Sequence, residues 1–123
     1  MIITCSLGDA KNYTADLIYF IVTNPGAVKP KGFKHRPDMG PSRELYAWAM
    51  AHKSEEGWFD IYKKQFCYDM KHLPGLVNAL NELERKAKDK VILLVCFCPD
   101  VNFCHRGLEA DELISRGVEV EKH

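Results

Sequence analysis

The chain has 123 residues, 46% of them hydrophobic and 28% charged, with 17 basic against 17 acidic side chains and no net charge. That is the length of one ordinary domain, enough to build a core without covalent staples. Balanced charge argues against broad electrostatic attraction to nucleic acid or anionic lipid, leaving only local patches, and no apolar run is long enough to span a bilayer.

The opening Met1-Ile2-Ile3-Thr4-Cys5 lacks the charged leader, long apolar stretch and small-residue cleavage site of a secretory signal. Five cysteines are an odd, clustered set. They read as reduced thiols of a cytoplasmic protein rather than a disulfide framework, with Cys96–Cys104 as the pair to watch under oxidation.

Ile2 to Cys5 reads as a first short strand, and Leu7 to Asp16 as a polar connection. Leu17 to Thr23 is β-branched and aromatic, the pattern of a strand buried on both faces. Asn24-Pro25-Gly26 stops it. An irregular stretch follows to about Pro41, rich in proline and glycine, with Lys29, Lys31, Lys34, His35 and Arg36 around Phe33. Loops this long inside compact domains are usually functional or disordered. This one could close over a ligand and meet a phosphate, or be a solvated loop.

Three helices are expected next. Ser42 caps the first, to about His52. The second runs from about Glu55 to Met70, with Trp58, Phe59, Tyr62 and Phe66 at helical spacing on a core face. The third starts after Pro74-Gly75, with Leu76, Val77, Leu80, Leu83 and Ala87 as its apolar stripe. Val91 to Phe97 is the clearest strand. Asn102 is expected to cap a helix from Phe103 to Arg116, Gly117 to close it, and Val118 to Glu121 to form an edge strand. There is no internal repeat and no domain boundary. The order of elements predicts one α/β domain over 1–123, three-layered and Rossmann-like, around a small, largely parallel sheet.

The chemistry concentrates in Cys96-Phe97-Cys98-Pro99-Asp100-Val101-Asn102-Phe103-Cys104-His105-Arg106, where a buried strand hands over to a helix. Ligands in open α/β sheets bind at such strand ends. A helix start attracts anions and disfavours cations, yet His105 and Arg106 occupy this one. A shared anion would explain them; a pairing of Arg106 with Asp111 that merely orders the loop would also do so. Cys104, at the helix start beside His105 and Arg106, has the setting that lowers a thiol pKa, so Cys104 and His105 are the catalytic candidates. Arg106, Cys96, Cys98, Asn102, Lys34, His35 and Arg36 are the ligand-binding candidates. The spacing is not the Cys-x5-Arg loop of cysteine phosphatases. Cys5 and Cys67 read as packing. No cofactor is expected; if a metal is present, Cys96, Cys98, Cys104 and His105 are donors that suit zinc, although the spacing is not a Cys-x2-Cys knuckle and adjacent Cys104 and His105 would diverge.

This segment resembles the DUF488 proteins, a bacterial and phage family named for a domain of unknown function. The resemblance rests on Leu93, Leu94, Cys96, Phe103, Cys104, His105, Arg106, Gly117 and Val120. It covers most of the chain in outline and the last quarter in motif. It implies a small Rossmann-like domain with a pocket at the Cys-His-Arg loop, and no settled activity. Where members often carry an acidic residue two positions after the first cysteine, this chain has Cys98. The expectation is a protein that binds, and can process, an anionic small molecule of nucleotide or nucleoside type. The rival is a non-enzymatic accessory factor that binds a protein partner.

Overall fold

The computed structural model describes residues 1–24 and 29–123. Pro25 and Gly26 of the expected stop signal lie outside the described residues. Five strands, β1 (Ile2–Ser6), β2 (Leu17–Phe20), β3 (Lys34–His35), β4 (Ile92–Cys96) and β5 (Val120–Lys122), form a sheet in the order β3-β2-β4-β1-β5. Every neighbouring pair is parallel. Four helices, α1 (Arg43–His52), α2 (Trp58–His72), α3 (Pro74–Lys86) and α4 (His105–Ser115), complete the α/β architecture.

The layers follow from handedness. The step from β1 to β2 runs across the sheet opposite to the steps β3 to β4 and β4 to β5. Right-handed crossovers therefore put the 3-10 helix Leu7–Asn12 on one face and α1 to α4 on the other. This is a three-layer, Rossmann-like domain. Its centre is β4, whose five residues are all buried; each such aliphatic side chain contributes about 1.5–3 kcal/mol over an exposed one.

Several boundaries differ from the expectations, each for a local reason. The second strand ends at Phe20, not Thr23. The Ile21 and Val22 carbonyls, which would continue a ladder, accept instead from His105 Nε2 (2.6 Å) and His35 Nε2 (2.8 Å). Helix α2 begins at Trp58, because Gly57 turns the chain at φ 77° just before it. The last helix begins at His105, two residues later than expected, so Asn102 is not its cap. Asp100 captures the Asn102 amide at 2.9 Å and closes a separate 3-10 turn over Val101–Phe103. Cys104, extended at φ −139° and ψ 145°, then takes the N-cap position. Ser42 caps α1 as expected, accepting from the Leu45 amide at 3.1 Å.

Candidate functional site

The carboxyl ends of β1, β2 and β4 come level: Ser6 pairs with Cys96, and Phe20 with Val95. The chain leaves β2 toward β3 at one edge and β4 toward β5 at the other, and a crevice opens between these diverging connections. It is a cavity of about 380 Å³. Tyr46, Trp58, Tyr62, Phe97 and Phe103 supply aromatic walls, Lys53 a cation, and Cys96, Cys98, Cys104 and His105 the reactive wall.

The cluster is assembled by three short pieces of chain. Cys96 ends a buried strand, Cys98 lies in the loop after it, and Cys104 sits at the N-cap of α4. Their sulfurs lie within 4.8 Å of one another, a set that could hold a metal ion. Cys96 Sγ and Cys104 Sγ are 2.8 Å apart. Gly107 makes this closeness achievable: a Cβ there would overlap the Val101 carbonyl oxygen. The bare backbone lets the 3-10 turn fold onto the first turn of α4.

Charge is distributed unevenly over the three thiols, which titrate together. Hydrogen bonds from Cys104 and Cys96, aided by His105 and Arg106, hold Cys98 far below the ordinary thiol range. The Cys96 thiol is pushed well up, by its hydrogen bonds to Cys104 and Cys98 and by burial. For Cys104 the bond to Cys96 pulls down, but the bond to Cys98 and burial outweigh it and push the thiol up to about 12. Cys98 is also the accessible one; Cys104 is only 2% exposed. The expected placing of a reactive thiolate on Cys104 thus meets a geometry in which Cys98 faces outward and Cys104 stands behind it.

His105 is held by its donor side. Because a carbonyl only accepts, Nε2–H must donate to Ile21 O, which leaves Nδ1 facing Cys104 Sγ at 3.9 Å. Arg106, 1% exposed, lies behind the cluster. Its Nε donates to the His123 carbonyl at 2.9 Å and its Nη1 to the Cys98 carbonyl and, at 3.1 Å, to Cys96 Sγ. The pairing with Asp111 does not form; that carboxylate accepts from Lys122 at 2.9 Å. The guanidinium thus ties Cys96, the loop at Cys98 and His123 together without lining the cavity.

The other expected ligand contacts lie elsewhere. Asn102 is exposed in the 3-10 turn, Lys34 is exposed on β3, and His35 is tied to Val22 O. Arg36 is clamped between Asp38 (2.9 Å) and Glu82 (2.6 Å), with its guanidinium 4.8 Å from the Tyr19 ring centre. None of these four lines the cavity. Cys5 is buried, with its thiol pushed up to about 11 by burial. Sequence reasoning missed Tyr46 and Lys53, and read Trp58 and Tyr62 only as core. It also passed over Glu109, one helical turn beyond His105. That carboxyl is fully buried, and neither oxygen has a hydrogen-bond partner among the described residues.

These features define a class: a Rossmann-like α/β protein with a thiol-and-imidazole wall in an aromatic cavity at its strand ends. The family model that matches is DUF488-N3a, described as the active DUF488-N3 subclade, over residues 2–117. The chain belongs to the DUF488 family. No curated protein and no solved structure matches it. Among the described residues no helix is long and apolar enough to cross a membrane.

Proposed function

We propose that the protein binds a planar, anionic small molecule of nucleotide or nucleoside type in this cavity and presents it to the sulfur cluster for reaction. The observation that carries the reading is the composition of the walls. Tyr46, Trp58, Tyr62 and Phe103 offer faces and edges for a flat ring. Lys53 offers the cation for a phosphate or carboxylate, and the N-terminal end of α4, at Cys104 and His105 in the wall, adds its dipole. The size suits a ligand of this kind.

The chemistry available is nucleophilic. Cys98 is the sulfur within reach of a ligand, and Cys104 with His105 Nδ1 forms the proton-carrying pair behind it. The Cys98 sulfur would add to an electrophilic carbon or phosphorus, the bond to the leaving group would break with its electron pair, and the Cys104 thiol, which keeps its proton, would supply the proton that the leaving group takes. Arg106 holds the loop that carries Cys98 and does not touch the ligand.

The test is a fluorescence titration with a panel of nucleoside monophosphates, on a Trp48→Phe background so that Trp58 alone reports. Saturable quenching at micromolar to millimolar ligand, abolished by Lys53→Ala together with Tyr62→Ala, is expected. A flat titration across the whole panel overturns the reading.

A further inference from the structure

We propose that Cys96, Cys98 and Cys104 form a binding site for a soft divalent cation of the zinc class, with the fourth coordination position open to the cavity. The inference rests on the cavity reading only for what fills that fourth position; the three-sulfur site stands without it.

Tetrahedral coordination with metal–sulfur bonds of about 2.3 Å places sulfurs about 3.8 Å apart. The three sulfurs already lie within 4.8 Å of one another, so the cation closes the set with small side-chain movements. Two of the three are fixed by regular structure, one at the end of β4 and one at the N-cap of α4. The third sits on a loop, where adjustment is cheap.

Three thiols, with no carboxylate oxygen among them, select zinc and its soft relatives over magnesium or calcium. Three thiolates around a dication leave one net negative charge. Arg106, its Nη1 3.1 Å from Cys96 Sγ, already supplies the outer cation and hydrogen bond that offset it.

His105 stands beside the cluster with Nε2 committed to Ile21 O and Nδ1 toward Cys104. His105 also lines the cavity, and its Nδ1, which carries no proton in this arrangement, can accept one there. On binding, each thiol still protonated releases its proton as the cation replaces it. In the loaded protein the sulfurs are ligands and the cation is the electrophilic centre. In the metal-free protein Cys98 is the free nucleophile described above.

The experiment titrates reduced, chelator-stripped protein with cobalt(II), then zinc(II), beside Cys98→Ser and, as a thiol control off the cluster, Cys67→Ser. One equivalent of cobalt should bind with a thiolate-to-cobalt charge-transfer band that zinc abolishes. Cys98→Ser should weaken binding by about a hundredfold or more, and Cys67→Ser should not change it. Zinc should raise the melting temperature of the parent but not of Cys98→Ser, whose fold is checked by circular dichroism. No charge-transfer band, or equal affinity in Cys98→Ser, overturns the proposal. Nucleotide binding is measured separately in chelator: its failure with cobalt binding intact sinks the cavity reading alone, and the reverse sinks the metal site alone.

Discussion

Glu109 is the side chain hardest to justify on packing grounds. It is fully enclosed, and both oxygens lack a hydrogen-bond partner among the described residues. Such a carboxyl stays protonated, because ionising it without solvent or a partner is costly. Burial pushes its pKa up to about 8, with His105 pulling it down and Asp38 adding to the rise. The unfolded chain gives up this proton near the ordinary value of 4.5, while the folded protein keeps it until about 8. The stability tied to that proton is therefore complete below the unfolded pKa and is lost as pH rises through the folded one. Glu109→Gln keeps the shape and removes the titration. Its denaturation midpoint should fall less steeply than the parent's between those two pH values, and parallel slopes would contradict the assignment. Nothing in the sequence marks this residue. Glu109 sits in a stretch, Leu108-Glu109-Ala110-Asp111-Glu112, whose other acids are exposed or half-buried, so only the packing of α4 against α2 and the sheet singles it out.

At the scale of elements, the turn from β4 into α4 decides whether the site exists. Asp100 closes one short turn, Cys104 opens the helix, and Gly107 lets the two touch. Gly107→Ala forces a Cβ into the Val101 carbonyl, a backbone clash that no rotamer relieves. It should cost about 1–3 kcal/mol and lift the 3-10 turn away from the helix. Thermal melts report the first effect; faster alkylation of Cys104, now less covered, reports the second. An unchanged melt with unchanged labelling would mean that this contact is not needed.

The same turn shows why element positions were more legible in the sequence than caps. Val91 to Phe97 could only be a buried strand, and the stripes of α1 and α3 announced themselves by spacing. Asn102 and Asp100 are both good capping residues two positions apart, and local sequence does not choose between them. The convergence of carbonyls on Arg106 chose, by pulling the loop over the guanidinium. Likewise Leu17 to Thr23 has strand composition throughout. Its last residues leave the sheet because two histidines distant in sequence, His35 and His105, claim the carbonyls.

At the scale of the whole molecule, the parallel sheet and its crossovers followed from the order of elements, and the site falls where such sheets open. Half of that site was readable: Cys96, Cys98, Cys104 and His105 are contiguous enough to be seen as one constellation. The other half comes from α1, the turn after it and α2, which bring Tyr46, Lys53, Trp58 and Tyr62 from 34 to 50 residues before Cys96. Aromatic residues at helical spacing give the same pattern whether they face a core or a cavity. The basic loop illustrates the converse: Arg36 looked available, but Asp38 and Glu82 hold it in an ion pair that also keeps Glu82 down at about 2. Site-resolved alkylation of reduced, chelator-treated protein, with and without a nucleoside monophosphate, asks whether an accessible reactive sulfur walls the ligand cavity. The expected result is that Cys98 labels first, well ahead of Cys67 and Cys104, and that saturating nucleotide slows Cys98 at least severalfold while leaving Cys67 unchanged. Labelling of Cys67 as fast as Cys98, or no protection by any nucleotide, would contradict it.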